Sequence, residues 1–461
     1  MPPCETPLLR AKQPLTSAVP SLRMNSRKQS AQPCKPNSLA PPAETDCAVP
    51  QATPRRYAFG VAFQLVGRGG QALAALGVLA LLARILGIEG VGIFASWEAI
   101  FTLLDIVVDG GTGNALVRRA GAQPPTLRSL LAKAFRFRIL TAAIASALVF
   151  GLALLDSRIS VNDPALWICA LGLWAHLFGT HACVFALKLN FRFPSVLRIV
   201  TSAMGLLGVL ALFLAGNTNP MAYLAAIALS RMVGNLVIWL GAAPLIKAWV
   251  EQNGNQKEGG AGFEREALTL GAGWLVREAY GRLDILALRA LAGPFAAGIY
   301  APVRKTFTLA LQIPAFVTNV AMPALSFQAK SSIDEFHEHV RKLSNNLTLV
   351  VIPLAALSAP FAYTYLDFAF GSEYAVEGIT ALWILIGTSI LVFPGSVFTT
   401  AIIARGRAGT ALGIALVALL ACAIGNWIWV PDYMVTGAAI ARLFTESVAL
   451  GGAVWASARL R

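Results

Sequence analysis

Twelve long apolar segments, interrupted by a small number of charged residues, dominate this sequence. The chain is 56% hydrophobic and only 13% charged, and its mean hydropathy is +0.65. A water-soluble domain of 461 residues cannot keep that much apolar surface away from water, whereas a bilayer supplies apolar surroundings. Because backbone amides in lipid must find partners within their own segment, the spans are expected to be helices. The sequence therefore predicts an all-α polytopic membrane protein.

Each apolar segment is long enough to cross the hydrocarbon core, which takes about 20 residues of helix. The predicted spans cover residues 57–82, 92–116, 135–155, 164–187, 195–215, 221–248, 267–291, 295–325, 343–369, 376–404, 408–430 and 434–458. Lys and Arg concentrate in alternate loops, and the opposite loops are nearly free of them. With an even number of spans, this asymmetry predicts that both termini are cytoplasmic. The net charge of +14 thus reflects membrane insertion, and we exclude nucleic-acid binding.

An internal repeat relates the two halves of the chain. Residues 87–95, at the turn between spans one and two, match residues 293–301, at the turn between spans seven and eight, with an offset of 206 residues. A second similarity pairs residues 229–232 in span six with residues 440–443 in span twelve. Paired halves of this kind are typical of transporters whose site lies between the lobes near the membrane midplane. We therefore expect two six-helix lobes.

The predicted organisation of the chain has four parts. Residues 1–56 contain eight Lys/Arg against three acids and no long apolar run, so they are predicted to form a disordered basic tail. Residues 57–250 are predicted to form the N-lobe and residues 267–461 the C-lobe. Residues 251–266 are predicted to be a cytoplasmic linker between the lobes.

Several polar and charged residues fall within the predicted spans. A charge at the bilayer centre costs at least about 2.5–3.5 kcal/mol, so each is expected to face the protein interior or a water-filled cavity. The positions are Gln64, Arg68 and Gln71 in span one; Glu98, Thr102, Asp105 and Asp109 in span two; Arg231 and Asn235 in span six; Arg277, Glu278, Arg282, Asp284 and Arg289 in span seven; Arg304 and Lys305 in span eight; and Arg442 and Glu446 in span twelve. In spans one and two the spacing of three and four residues places them on one helix face.

The turn after span one, residues 86–94, resembles that of the polysaccharide-biosynthesis (O-antigen) flippases of the multidrug/oligosaccharidyl-lipid/polysaccharide (MOP) exporter superfamily. Similar elements follow in order at residues 109–111, 115–119, 187–193, 284, 298–301, 370–374 and 404–407. The resemblance covers residues 57–458 and implies about twelve transmembrane helices in two six-helix lobes, an architecture like that of the MATE transporters.

The resemblance also implies a function. It predicts a flippase that moves a polyprenyl-diphosphate-linked oligosaccharide, or a related polysaccharide precursor, across the bacterial inner membrane by alternating access. The expected partners are the lipid-linked oligosaccharide and membrane lipids, with a polysaccharide polymerase and glycosyltransferases as further candidates. The protein is expected not to be an enzyme.

A cationic patch between the lobes is the predicted binding site for such a cargo. A diphosphate head needs a polar lining, and guanidinium groups suit phosphate because they donate in a planar fork and stay protonated. The candidates are Arg68, Arg277 and Arg282, assisted by Arg304 or Lys305. The alternative for each residue is an internal salt bridge that locks helices together, and the four-residue spacing of Glu278 and Arg282 fits this well.

The energy source is predicted to be an ion gradient, or the transport to be passive. The sequence has no Gly-x-x-x-x-Gly-Lys-Ser/Thr loop, and residues 337–339 (His-Glu-His) lack the spacing of a zinc protease, so no cofactor or metal is expected. Buried carboxylates are the candidate coupling sites. They are Glu98, Asp105, Asp109 and Asp284. For His176 and His181 in span four we favour hydrogen-bonded core residues over proton carriers.

Two other functions stay open. The first is an ion-coupled multidrug/cation antiporter of the same superfamily, which requires a cavity dominated by carboxylates and aromatic residues. The arginine-rich spans favour an anionic cargo, while the carboxylates of span two keep this alternative alive. The second is a non-transport component of an envelope polysaccharide assembly complex.

Overall fold

The computed structural model describes residues 54–188, 190–254 and 262–459, without the side chains of residues 54–68 and of Lys330. Residues 1–53 of the predicted tail, and much of the predicted linker, therefore lie outside the described residues. Within the described ranges the chain is helical and contains no strand. The α-helices are α1 (Pro54–Ile85), α2 (Gly87–Asp109), α3 (Thr112–Ala122), α4 (Leu127–Leu155), α5 (Pro164–Trp174), α6 (His176–Gly179), α7 (Cys183–Leu187), α8 (Arg192–Leu214), α9 (Pro220–Asn253), α10 (Phe263–Ala310), α11 (Gln312–Ser331), α12 (Ile333–Phe370), α13 (Ser372–Ala404) and α14 (Ala408–Ala458).

The predicted spans have helical counterparts in the described part of the chain. By length and composition, nine helical segments there are long and apolar enough to cross a membrane, and Gly69–Ile85 adds a shorter apolar one. Helices α10 and α14 each contain a break with non-helical backbone, at Gly293 and at Met434. The first break lies between the predicted spans seven and eight, and the second lies at the first residue of the predicted span twelve. The prediction of an all-α polytopic membrane protein is confirmed.

The surface of the described helices carries many large apolar side chains. Leu155, Leu349, Phe361 and Trp427 are each more than 60% exposed, and they lie on α4, α12 and α14. A water-soluble monomer rarely exposes so much apolar surface, whereas lipid accommodates it without cost. Several charged side chains of the spans instead lie inside, where they pair with one another.

The two repeated turns pack against each other through glycine. A Cβ atom added at Gly92 would lie 1.8 Å from the carbonyl oxygen of Pro294, and one added at Gly298 would lie 2.0 Å from that of Ile88. In the repeat, Gly298 is the equivalent of Gly92, and Pro294 is the equivalent of Ile88. The two contacts are therefore equivalent to each other under the repeat. The repeat thus places α2 and the second half of α10 in reciprocal backbone contact.

Replacing Gly92 with alanine is expected to destabilise the protein by about 1–3 kcal/mol, because the methyl group overpacks a contact made by backbone on both sides. The measurement is the thermal unfolding midpoint in detergent. Gly77→Ala is the matched control, since its Cβ would meet nothing within 4 Å, and it should be neutral or slightly stabilising. Equal midpoints for the two variants would contradict the packing described here.

Candidate functional site

A cavity of about 120 Å³ lies between elements of the two repeated halves. Helices α1, α2, α8 and α9 line it from one half, and both parts of α10 line it from the other. Its polar and charged lining residues are Gln71, Glu98, Thr201, Ser202, Ser230, Arg231, Arg304 and Lys305. The lining therefore carries three cations against one carboxylate. Phe94 is its one aromatic lining residue among those that the structure describes.

An ion pair crosses the cavity between the halves. The Nζ atom of Lys305 lies 3.3 Å from Oε1 of Glu98, and both side chains are about one quarter exposed. Glu98 lies in the middle of α2. Its equivalent in the repeat is Arg304 of α10, and Lys305 is the next residue. A cation and an anion thus meet where the two halves approach each other.

Arg304 lines the same cavity but is held by its own helix. Its Nε atom lies 3.3 Å from Oδ1 of Asp284, and its guanidinium donates to the carbonyl oxygen of Gly281 at 2.8 Å. The hydroxyl of Tyr300 donates to the other carboxylate oxygen of Asp284 at 2.8 Å. Asp284 and Gly281 precede the break at Gly293, and Tyr300 and Arg304 follow it. This network therefore fixes the angle between the two parts of α10.

A smaller cavity of about 40 Å³ adjoins the first and shares Glu98, Ile227 and Arg231 with it. Asp105 and His176 line it from α2 and α6. One carboxylate oxygen of Asp105 lies 3.0 Å from Nε2 of His176, and the other accepts a hydrogen bond from Arg231 at 3.2 Å. Arg231 thus stands between the two cavities, with its side chain 45% exposed.

Asp109, one turn beyond Asp105, is paired with the buried Arg138 of α4. The same guanidinium donates to the hydroxyl of Thr112 at 2.8 Å and to the backbone carbonyl of His176 at 2.5 Å. Two carboxylates of α2 are therefore connected to the broken helix of span four at His176. His181 instead contacts the carbonyl oxygen of Phe178 at 3.3 Å.

The other members of the predicted cationic patch are Arg68, Arg277 and Arg282. Arg282 pairs with Glu278 one turn away, at 2.8 Å, and Arg277 is exposed with no hydrogen-bond or ion-pair partner among the residues the structure describes. Neither lines the cavity between the halves. The side chain of Arg68 lies outside the described residues. The structure thus brings Arg304 and Lys305 to one cavity with Arg231, which the sequence analysis noted without selecting it as a binding residue.

Charged contacts between the halves lie at both ends of the first part of α10. Near its start, Glu266 pairs with Arg119 at 2.6 Å and with Arg118 at 3.3 Å. Near its end, Arg289 pairs with Asp156, which also accepts a hydrogen bond from the indole of Trp97 at 3.3 Å. At 1.5 Å per residue, Glu266 and Arg289 are about 35 Å apart. The halves are therefore linked on either side of the cavity.

Within the described residues, no group of three or more His, Cys, Asp or Glu side chains has an arrangement that suits a metal ion. The cavity offers three cationic side chains together with hydroxyl groups. Each cation has a carboxylate partner, and of these partners Glu98 alone is among the lining residues that the structure describes. Such a lining suits an anionic, hydroxyl-rich molecule.

Solved structures that share this fold include the following three. A multidrug resistance MATE family transporter of the MOP superfamily in an inward-facing conformation has a TM-score of 0.64 and 12% identity, covering 85% of this chain and 94% of its own. A MOP superfamily transporter from Pyrococcus furiosus, described with a binding pocket of reverse polarity, has a TM-score of 0.64 and 12% identity, covering 88% and 95%. The lipid II flippase MurJ, in an inward closed conformation, has a TM-score of 0.62 and 11% identity, covering 85% and 86%.

At these identities the likeness establishes the fold alone. A search of curated proteins finds no match. The family model described as polysaccharide biosynthesis protein matches residues 58–328, more than half of the chain. The chain therefore belongs to the polysaccharide biosynthesis protein family, and it has the fold of the MOP superfamily transporters.

Proposed function

We propose that this protein moves a polyprenyl-diphosphate-linked oligosaccharide, or a related polysaccharide precursor, across the bacterial inner membrane by alternating access between its two lobes. The observation that carries this proposal is the cavity between the halves, whose lining has three cations and one carboxylate. Family membership and the fold shared with a lipid II flippase support the same class of cargo. The distribution of Lys and Arg predicts that both termini are cytoplasmic. A polysaccharide polymerase and glycosyltransferases are the expected partners in the pathway.

The cavity divides into parts that suit the two chemical portions of the cargo. Lys305 and Arg231 offer cationic donors to a diphosphate, while Arg304 adds positive charge from its fixed position. The hydroxyls of Thr201 and Ser202 already donate to the carbonyl oxygen of Arg198, at 3.1 Å and 2.8 Å. Their remaining lone pairs accept hydrogen bonds from sugar hydroxyls. The polyprenyl chain remains in the bilayer while the head crosses.

Glu98 occupies the place that the phosphate takes. In the structure, Glu98 neutralises Lys305 across the cavity at 3.3 Å. An arriving diphosphate competes for the same ammonium group, and its greater charge favours the exchange. Because the Glu98–Lys305 pair joins the halves, displacing Glu98 also removes one of their links. Cargo binding is in this way tied to lobe movement.

Glu98→Gln is expected to strengthen binding of the diphosphate head several-fold and to slow transport, because Lys305 keeps its charge and loses its competitor. The measurements are the affinity of the purified protein for undecaprenyl diphosphate and its transport rate in proteoliposomes. The control is Glu278→Gln, which neutralises a carboxylate of α10 that lies outside the cavity lining. Unchanged affinity in the Glu98 variant would contradict the competition.

Asp105 is the best-placed candidate for ion coupling. It borders the cavity and contacts both His176 and Arg231. By contrast, Asp109 is held by the buried Arg138, and Asp284 by Arg304 and Tyr300. A proton that reaches Asp105 or His176 weakens the hold of Asp105 on Arg231 and frees that guanidinium for cargo. Coupling and binding then share one residue, Arg231.

The function is tested in proteoliposomes that contain the full chain and a fluorescent lipid-linked oligosaccharide. Flipping exposes the sugar reporter to a membrane-impermeant quencher, so the quenched fraction measures transport. We expect the protein to flip the diphosphate-linked lipid. We also expect that it does not accumulate a cationic dye under an imposed proton or sodium gradient. Dye transport without flipping would overturn the proposal in favour of a cation antiporter. Among the residues that the structure describes, the lining offers such an antiporter one carboxylate and one aromatic residue.

A further inference from the structure

A third cavity, of about 150 Å³, lies at the end of the C-lobe where the start of α12 meets the ends of α13 and α14. It shares no lining residue with the cavity between the halves. Its lining comprises Phe336, His337, Val340, Arg341, Ser344, Asn345, Phe398, Ala401 and Ser457. The cavity is about tenfold larger than the space that one water molecule needs.

A buried polar atom of this lining has no protein partner. The Nε2 atom of His337 is shielded from solvent and makes no hydrogen bond within the described part of the chain. Its ring instead contacts Phe336 edge-on, with the centroids 5.6 Å apart. A shielded polar group without a partner is costly, so native proteins nearly always satisfy it with another group, water or a ligand. A ligand with acceptor oxygens satisfies a protonated Nε2.

The charge around the cavity is positive. Arg341 is exposed and, within the described residues, makes no ion pair within 4 Å. Glu338, the carboxylate one turn away that also acts on Arg341 electrostatically, is paired with Lys342 at 2.6 Å. The guanidinium of Arg405 lies 5.8 Å from the ring centroid of Phe336. No lining residue is acidic. The hydroxyl of Ser344 and the amide of Asn345 add neutral donors from the same face of α12.

We propose that this cavity binds a phosphate group, with Arg341 supplying the charge and His337 Nε2–H a buried hydrogen bond. The phosphate belongs either to an anionic lipid head or to a soluble phosphate ester, since both present the same oxygens. The distribution of Lys and Arg predicts that the start of α12 is on the cytoplasmic side. Basic pockets at the cytoplasmic ends of membrane helices are suited to lipid heads. The site is independent of the cargo cavity and of the transport function.

The test uses the full chain purified in neutral detergent. Native mass spectrometry measures retained phosphatidylglycerol against phosphatidylcholine, and a thermal shift measures binding of inorganic phosphate. The variants are His337→Ala and Arg341→Gln, with Lys342→Gln as the control, because Lys342 is a neighbouring cation that does not line the cavity. Only variants that have the wild-type unfolding midpoint in the absence of probe are compared. Arg341→Gln is expected to meet this condition, because the Arg341 side chain is exposed.

Wild-type protein is expected to bind one of the two probes. Both lining variants should weaken that binding about tenfold or more, the loss that corresponds to one charge-assisted hydrogen bond. The Lys342 variant should stay within about twofold of wild type. Loss of phosphatidylglycerol identifies a lipid head as the ligand, and loss of the phosphate shift identifies a soluble phosphate. Equal binding by wild type and Arg341→Gln, or an equal loss in the Lys342 control, overturns the proposal.

Discussion

Replacing Arg442 with leucine is expected to lower the free energy of unfolding by about 3–5 kcal/mol, because the change leaves Glu446 buried without its cation. The two side chains are 7% and 6% exposed, and their charged atoms lie 2.8 Å apart. The guanidinium also donates to the carbonyl oxygen of Tyr280 at 3.2 Å and lies over the rings of Tyr280 and Phe307. Leucine replaces none of these polar contacts.

The double variant Arg442→Met, Glu446→Leu distinguishes two contributions to the free energy of unfolding. One is the net stabilisation by the ion pair, and the other is the destabilisation that a single unpaired buried charge causes. Removing both charges leaves no uncompensated ion, so most of the lost stability should return. Arg231→Leu is the matched comparison, since Arg231 corresponds to Arg442 in the repeat but is 45% exposed, and it should cost about 1 kcal/mol or less. Unfolding midpoints in detergent test all three. A double variant no more stable than Arg442→Leu would contradict this account.

Lys305→Ala is expected to reduce transport about ten- to a hundredfold while the protein reaches the membrane at normal levels. The substitution removes the cation that pairs across the cavity with Glu98, and with it a charge-assisted contact to the diphosphate. Stability should change little, because a partly exposed pair contributes little to folding. The measurement is flipping in proteoliposomes at matched protein content.

The comparison for Lys305 is Arg282→Ala. Arg282 is a cation on the same helix, paired with Glu278 and outside the cavity lining. Because Arg282 does not line the cavity, Arg282→Ala is expected to reduce transport less than Lys305→Ala does. An equal loss in both variants would assign the effect to the general charge of α10 rather than to the cavity.

The sequence predicts the helices well because apolar length and proline-glycine breaks are local properties. The span boundary near residue 293 follows from Gly293 and Pro294 alone. The repeat identifies the two turns by sequence, but only the structure shows that they meet at Gly92 and Gly298. Helix lengths and breaks depend on a few neighbouring residues, whereas the contact between the turns depends on the final packing.

The binding lining is harder to predict, because helical spacing shows which residues share a face but not what that face meets. Arg304 and Lys305 are adjacent in sequence, yet one is held by Asp284 and the other reaches across to Glu98. Arg277 and Arg282 share a face with Asp284 and still lie outside the cavity lining. Only the bend of α10 and the approach of α9 decide these contacts, and they bring Arg231 into the site.

The most direct test of the central claim is the affinity of the purified protein for undecaprenyl diphosphate, measured for wild type, Lys305→Ala and Arg231→Ala at low and moderate salt. If the cations between the halves hold the phosphorylated head, each variant binds about tenfold or more weakly than wild type. The difference then shrinks as salt screens the charges. Equal affinity in all three proteins would contradict the claim.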